Sequence, residues 1–364
     1  MTAPADVPSP DRTRRIWTAL DLRLGLSSLA YPVPRHANRI GYILGGISVI
    51  GFIVLAITGI LLAQWYRPDP SGARQSIAYI TGTVPVGDVL RGIHFWMANL
   101  VMATVLLHLG RVFVTGSFKR PREANWLIGV GLLVVTLGMI FTGTVLKWDQ
   151  EGYEALQHNV EAGALLGSVG AWFSESFALT LPLVGRLYMA HVVILPGIGL
   201  LLLIAHFLLV KHLGISSLPE EADAATAGTG PEPVRGGSSF AAHLIRMLGF
   251  GLVLVAVAAV LSIAWGVTVG DRPNPAIEVT KPWWMFLPFY PFEDWFGLSA
   301  LLWVPGLLVL GLMLVPLLDR SPWRSPRRRK GAMAVFGVVV AALVGLVLYA
   351  LASPAASHVQ EATG

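Results

Sequence analysis

Long apolar runs alternate with polar, proline- and glycine-bearing connections along this chain. The runs fall at about 40–64, 92–114, 125–147, 187–210, 244–269, 297–318 and 332–352. Each reaches the roughly 20 residues that a helix needs to cross about 30 Å of hydrocarbon. Backbone N–H and C=O groups find no water there, so each run must bond within itself, and seven transmembrane helices follow. The pattern predicts an all-α, polytopic membrane protein. The first run is too long and too late for a signal peptide, and no small-residue cleavage pattern follows it. Long connections join spans one and two (66–91), three and four (148–186) and five and six (270–296). Within the second, EALQHNVEAGALLGSVGAWFSESF predicts short interfacial helices.

Composition agrees, since 54% hydrophobic and 13% charged residues lie far outside soluble usage. The formal net charge is +5, and its placement adds an orientation. Arg12, Arg14, Arg15, Arg23 and Arg35 precede span one, and Arg111, Lys119, Arg120 and Arg122 join spans two and three. Lys211 and Arg235 lie between four and five; Arg320, Arg324 and Arg327 to Lys330 lie between six and seven. Seven spans put these segments on one side. The positive-inside rule makes it the cytoplasmic side, with the amino terminus, and leaves the carboxyl terminus outside. A basic surface also suits nucleic acid, but topology accounts for this one and no nucleic-acid partner is expected. The absence of cysteine excludes disulfides, thiolate zinc sites, cysteine-ligated iron–sulfur clusters and thioether-attached haem for this chain. SSLPEEADAATAGTGPEPVRGGSS separates spans one to four from spans five to seven. Its composition predicts a flexible cytoplasmic linker, 216–239, between one membrane module at 1–215 and a second at 240–364.

Two of the runs carry matched histidine pairs: His94 and His108 in HFWMANLVMATVLLH, His191 and His206 in HVVILPGIGLLLLIAH. Separations of 14 and 15 residues correspond to about 21 and 22 Å of helix. Fourteen residues make almost four turns, so each pair projects to broadly one side. An imidazole in hydrocarbon is costly, and four at matched depths point to ligands. Spans two and four cross in the same direction, which pairs His94 with His191 near the outer face and His108 with His206 near the inner. Each pair can clamp one planar iron porphyrin between helices. That leaves no open coordination position, which suits electron transfer rather than oxygen chemistry.

A macrocycle between helices also needs room. Gly45 and Gly59 in span one, and Gly129 and Gly143 in span three, are each 14 residues apart. One such pair is more often a helix-packing device; two in register with the histidines favour haem. Arg91 and Arg111 flank the histidines of span two, and Arg186 precedes His191 by five residues. All three are candidates for the haem propionates, with lipid headgroups as the competing partner. His36, His158, His212, His243 and His358 have no partner at ligand spacing. Pro196 is expected to kink span four.

PRHANRIGYILGGI, YRPDPSGARQSIAYI, LRGIHFW, LLHLGRVFVTGSFKRPRE, NWLIGVGLL and GTVLKWDQEGY follow one another in an order that resembles the cytochrome b/b6 family, the membrane core of Rieske/cytochrome bc complexes. The 15-residue spacing in span four is similar to the b6 branch. Spans five to seven, with LDRSPWRSPRRR, resemble the small subunit of that branch, here fused. The resemblance implies two non-covalent b-type haems in a bacterial plasma membrane, an outer quinol-oxidising site and an inner quinone site. It further implies a Rieske iron–sulfur protein and a c-type cytochrome as partners, and a homodimer. One electron would leave through the Rieske protein and the other through the haems. A haem separation of about 20 Å spans most of a core of about 30 Å, so that path is electrogenic. Lys211 follows His206 by five residues, where the b6 branch carries a basic residue near its inner quinone. A quinone contact and the topology rule explain it equally.

Three positions depart from the family. The b6 branch tethers an extra haem to a cysteine near the start of span one, where this chain has Ile43. The PEWY signature of the outer quinol pocket reads Pro282, Trp283, Trp284, Met285. Its proton-accepting glutamate is thus Trp283, which has a donor and no accessible pKa. LPWDQ reads LKWDQ, with Lys147 for proline. Pro282 and Trp284 remain candidates to line the outer quinone pocket, and Asp149, Glu151, Glu293 and Asp294 are the candidate acid–base groups there. The leading function is the di-haem cytochrome b subunit of a quinol:cytochrome c oxidoreductase. The alternative is a membrane electron conduit from an extracytoplasmic redox partner to the inner quinone site, without outer quinol oxidation. A third is a transporter or anchor whose histidines are incidental.

Overall fold

The computed structural model describes residues 12–24, 32–229 and 237–355; Arg235 and His358 lie outside them. Among the described residues, seven helical stretches are long and apolar enough to cross a membrane. They are α2 (Ile40–Leu62), α4 (Gly87–Val114), α5 (Glu123–Leu146), the stretch Leu183–Leu213, α10 (Phe240–Trp265), α12 (Ala300–Leu318) and α13 (Lys330–Ala352). Shorter helices are α1 (Arg12–Leu24), α3 (Ala73–Gly82), α6 (Gln150–Leu165), α9 (Pro219–Thr226) and α11 (Tyr290–Phe296). With α6 and the 3-10 turns at Gly167–Phe173 and Glu175–Phe177, the short helices expected of this segment are present. The one exception to an all-α chain among the described residues is a short antiparallel pair, β1 (Pro32–Pro34) with β2 (Gly237–Ser239).

Span four is not one regular helix. It runs from α7 (Leu183–Met189) through a π turn (Ala190–Ile194) into α8 (Leu195–Leu213), with Leu195 N–H bonding to the Ala190 carbonyl. Pro196 explains it: in a regular helix its ring would strike the carbonyl four residues back, and a widened turn relieves that clash. A π turn also absorbs one residue. In an α-helix 14 residues fall about 40° short of four turns, whereas 15 overshoot by about 60°. The extra residue between His191 and His206 is taken up here, which returns the second histidine pair to the phase of the first.

Proline in span six meets a different solution. Pro316 lies within α12 and offers no N–H to the carbonyl of Leu312. The indole Nε1 of Trp126, from α5, donates to that carbonyl at 2.7 Å. A carbonyl left open in hydrocarbon is thereby satisfied by a neighbouring helix.

α2 packs along α4, and α5 along α8, with α10 against the outside of α2 and α4. The basic connections gather at one end, called the basic face. There Lys119 reaches Asp319 and Ser321, Arg122 reaches Leu213 and Gly214, and Arg329 reaches Phe113. The opposite end, the loop face, is knit by Arg74 to Gly270, Gln150 to Ile277 and Glu154 to Val279.

The linker departs from its expected flexibility over α9. Pro219 starts the helix, Glu220 and Glu221 sit in its first turn, and Asp223 is buried. The Asp223 carboxylate accepts Arg324 N–H at 2.6 Å and Ser325 N–H at 3.2 Å. Composition signals flexibility, but two otherwise open N–H donors on the connection between α12 and α13 give this segment a fixed seat.

Candidate haem-binding and quinone sites

Between the α2/α4 pair and the α5/α8 pair lies a cavity of about 1970 Å³. That is roughly twice the upper end for a pocket holding one small molecule, so there is room for more than one large planar group. His94, His108, His191 and His206 all line it, as do Gly45, Gly59, Gly129 and Gly143.

Each glycine faces one histidine. A Cβ on Gly45 would stand 3.0 Å from the His108 ring, and one on Gly59 3.3 Å from His94. On Gly129 it would stand 3.5 Å from His206, and on Gly143 3.1 Å from His191. Within each helix pair the missing side chain of one helix is the space in which the imidazole of the other lies. Across the cavity, the rings of His94 and His191 have centroids 6.4 Å apart. Two imidazole nitrogens on one metal atom, at about 2 Å each, give a centroid separation of about 6 Å. Among the described residues no three His, Asp or Glu side chains converge as a bare-metal site. Two imidazoles per level suit a metal that arrives in its own macrocycle, and the residues present fit haem.

The hydrogen bonds behind the rings differ between levels. His94 Nδ1 is 2.9 Å from Thr58 Oγ1, and His191 Nδ1 is 2.9 Å from Thr142 Oγ1. The Nδ1 atoms of His108 and His206 are buried without a hydrogen-bond partner; the Asn125 backbone approaches His206 outside bonding geometry. The threonines were not among the residues singled out from the sequence. A signal was present: the glycine is preceded by threonine at 58–59 and 142–143, but by Leu44 and Ile128 at the other level.

The arginines divide. Arg91 and Arg111 line the cavity. Arg91 donates to the Val267 carbonyl at 2.6 Å, and Arg111 Nε to the Gly41 carbonyl at 2.9 Å while its guanidinium lies 4.0 Å over Tyr42. Arg186 does not line it. Its two terminal nitrogens are committed to the carbonyls of Trp172 and Ser174, which fold the loop after α6 back over the start of α7. Ile43, at the position of the family's tethering cysteine, is fully buried.

At the loop face the cavity is lined by Lys147, Asp149 and Glu151. Asp149 caps α6 by accepting Gly152 N–H at 2.9 Å, and Lys147 pairs with Asp149 at 3.4 Å and with Glu151. Of the PEWY-like stretch, Trp283 and Met285 line the cavity, whereas Pro282 and Trp284 do not. Trp283 and Trp284 both donate to Asn99 Oδ1 on α4, at 2.5 and 2.8 Å. Asp294 is exposed.

Glu293 belongs to a separate cluster. His158 Nε2 lies 3.2 Å from Glu278 Oε1 and 3.3 Å from Glu293 Oε1, while its Nδ1 meets the Glu154 carbonyl at 2.7 Å. Burial disfavours the imidazolium, but bonds to Glu278, Glu293 and the Glu154 carbonyl outweigh it and raise His158 to about 10. Burial also raises Glu161 nearby, with His158 opposing and the Glu278 and Glu293 charges reinforcing the rise. His158 lies more than a hundred residues from Glu278 in sequence, which is why Glu278 was not recognised.

At the basic face Lys211, His212, Ser216, Phe240 and His243 line the cavity. Lys211 is exposed, and His243 is buried with Nδ1 3.0 Å from Asn38 Oδ1. His36 is turned away, its Nε2 2.9 Å from the Ser216 carbonyl.

Comparison with known proteins agrees with this architecture. A family model described as cytochrome b/b6/petB matches residues 28–214. Cytochrome b6 of Heliobacterium mobile is 42% identical over 190 residues, covering 51% of this chain and 89% of the relative. A cytochrome bc complex cytochrome b subunit of Chlorobaculum thiosulfatiphilum is 32% identical over 328 residues, 86% of this chain and 73% of the relative. A chain of a solved hyperthermophilic respiratory Complex III superposes with a TM-score of 0.74 at 23% identity, covering 95% of this chain and 91% of that one, a likeness of fold. This integral, multi-pass membrane protein is a member of the cytochrome b/b6 family.

Proposed function

We propose that the chain is the di-haem cytochrome b subunit of a quinol:cytochrome c (Rieske/bc-type) oxidoreductase, working with a Rieske protein and a c-type cytochrome in a bacterial plasma membrane. The observation that carries this reading is the set of four histidine–glycine contacts lining one cavity at two levels. His94 and His191 hold the outer iron, His108 and His206 the inner. Bound there, the haems supply one-electron transfer with no open coordination position. Arg91 and Arg111 offer positive charge to the propionates, and the glycines keep the helices apart where the macrocycles lie. The loop face is extracytoplasmic and the basic face, with the amino terminus, is cytoplasmic. A haem module, 1–215, is fused to a second module, 240–364, and two copies form the dimer.

At the outer end, Asp149 and Glu151 are the carboxylates that line the cavity and take the quinol protons, and both pair with Lys147. At the inner end Lys211 supplies a cation to the reduced quinone. The conduit reading, without outer quinol oxidation, draws support from one observation. Trp283 occupies the glutamate position, lines the cavity and is tied to Asn99, and it cannot accept a proton.

Reduced-minus-oxidised spectra of the purified protein are expected to show two b-type centres. Quinol:cytochrome c turnover of the intact complex separates the two readings. Turnover abolished by an inhibitor of the outer pocket supports the oxidoreductase, and turnover that persists beside the inhibitor rules it out.

A further inference from the structure

We propose that His243 is the hydrogen-bonding and proton-transferring partner of the inner quinone, through its Nε2. The proposal rests on the inner quinone site of the proposed function and assigns that site a residue. His243 is a buried titratable side chain that the haem reading leaves unused. It stands in the first turn of α10, is 6% exposed, and lines the inner end of the cavity with Lys211, His212 and Ser216. Its setting gives the short strand pair a purpose. β1 and β2 join the stretch before span one to the stretch before span five, with Val33 opposite Ser238. Ser238 Oγ accepts Asn38 Nδ2 at 2.6 Å, and the amide so oriented turns Oδ1 toward His243 Nδ1 at 3.0 Å. An amide oxygen only accepts, so Nδ1 carries the ring hydrogen of the neutral imidazole. On another side the ring of Phe240 lies 6.1 Å away and packs with Val33 and Ala37. The imidazole is thus held in place, and Nε2, without a hydrogen-bond partner among the described residues, is the atom left for a ligand.

The tautomer decides the chemistry. Neutral His243 presents a lone pair at Nε2, which suits the O–H of a quinol. A quinone has only acceptors, so it bonds to Nε2 after the imidazole has taken up a proton. Reduction of a quinone to a quinol consumes two electrons and two protons. The electrons come from the inner level of the haem path, one proton leaves Nε2 as a new O–H bond forms, and water at the basic face supplies the other. The imidazolium is left neutral, and its lone pair accepts the hydroxyl it has just made. The other charged or titratable groups on the elements packed around His243 are engaged or exposed. His36 meets the Ser216 carbonyl, and Arg111 lies over the Tyr42 ring. Arg35, Arg39, Lys211, His212 and Arg246 are exposed.

Calorimetric titration of the intact, haem-loaded protein with a short-chain quinone and with its quinol tests this, with the outer pocket blocked by its inhibitor. At pH 8 an ordinary imidazole is almost wholly neutral. Heats measured in two buffers of different ionisation enthalpy give the number of protons exchanged. About one proton taken up per quinone bound, and none per quinol, is the expected result. His243→Phe is expected to weaken quinone binding about tenfold and to abolish the uptake, with both b-type centres intact. Asn38→Leu keeps His243 but frees its tautomer, so Nε2–H is available without a proton from water, and uptake per quinone should fall well below one. This second variant decides the matter should His243→Phe fail to fold or to load haem. Wild-type quinone binding without proton uptake overturns the assignment of His243, as does uptake or affinity unchanged in His243→Phe, or uptake unchanged in Asn38→Leu. A wild-type protein that binds no quinone overturns instead the inner site on which the assignment rests.

Discussion

At the basic face Lys119 and Arg329 share the Asp319 carboxylate, each at 2.6 Å, with all three side chains at most 10% exposed. At the loop face the arrangement is inverted, and His158 is shared between the carboxylates of Glu278 and Glu293. One end buries two cations on one anion; the other buries two anions on one cation. Part of the excess positive charge at the basic end is committed to helix ends. Arg329 also donates to the carbonyls of Phe113 and Val114 at the end of α4, Arg122 to those of Leu213 and Gly214 at the end of α8, and Arg320 to that of Leu317 at the end of α12. Three helices end at this face, and each has an arginine on its open carbonyls, where the helix dipole favours a cation. Positive charge that the positive-inside rule reads as a topology signal in the sequence is thus also the capping apparatus of the helices that finish there. The lesson is that charge bias along a chain combines topology with capping, and only contacts separate the two.

The comparison extends to the two histidine levels, and the largest expected effect is there. His108→Ala is expected to abolish one b-type centre and spare the other, read in the reduced-minus-oxidised spectrum; loss of both would mean that the two levels are not independent. Next comes the basic-face ion triad. Asp319→Ala leaves two buried cations without their anion, a loss of roughly 3–5 kcal/mol, measured by thermal unfolding in detergent. A drop below about 1 kcal/mol would show that the carbonyl bonds alone suffice.

The loop-face counterpart is smaller and pH-dependent. Glu293→Gln removes one charged acceptor from His158 and is expected to cost about 2 kcal/mol. The folded value of His158, about 10, lies above the ordinary 6.5. Its contribution is therefore complete below about pH 6.5 and is lost as pH rises through about 10. The stability gap between wild type and Glu293→Gln should close over that range; a constant gap would show that the imidazolium plays no part.

The smallest effects compare the four glycines. Gly→Ala gains up to about 1 kcal/mol in helix propensity, against roughly 1–3 kcal/mol for crowding a packed site. Gly45→Ala and Gly143→Ala, at 3.0 and 3.1 Å from their histidines, should lower the haem-to-protein ratio more than Gly59→Ala and Gly129→Ala, at 3.3 and 3.5 Å. The opposite order would remove the histidine contact as the cause.

Much of this was legible in the sequence because hydrocarbon makes structure local. A span must satisfy its own hydrogen bonds, so apolar length alone locates α2, α4, α5, span four, α10, α12 and α13. Helical phase then aligns the histidines with the glycines. What the sequence did not carry depends on groups distant in the chain or on the geometry of one turn. The π turn at Ala190–Ile194, which reconciles 15 residues with 14, arises where Pro196 meets the preceding carbonyls. Arg186 looked as eligible for a propionate as Arg91, until the loop carbonyls of Trp172 and Ser174 took its guanidinium. Glu278 joins His158 and Glu293 only because α6 and the connection between α10 and α12 fold against each other, and the seat of α9 depends on N–H groups a hundred residues away. The chain's own pattern determined the spans and the histidine–glycine register, since both follow from backbone periodicity in an apolar medium. Tertiary structure alone decided which charged groups are shared across the loops, because their partners are set by three-dimensional packing and not by spacing along the chain.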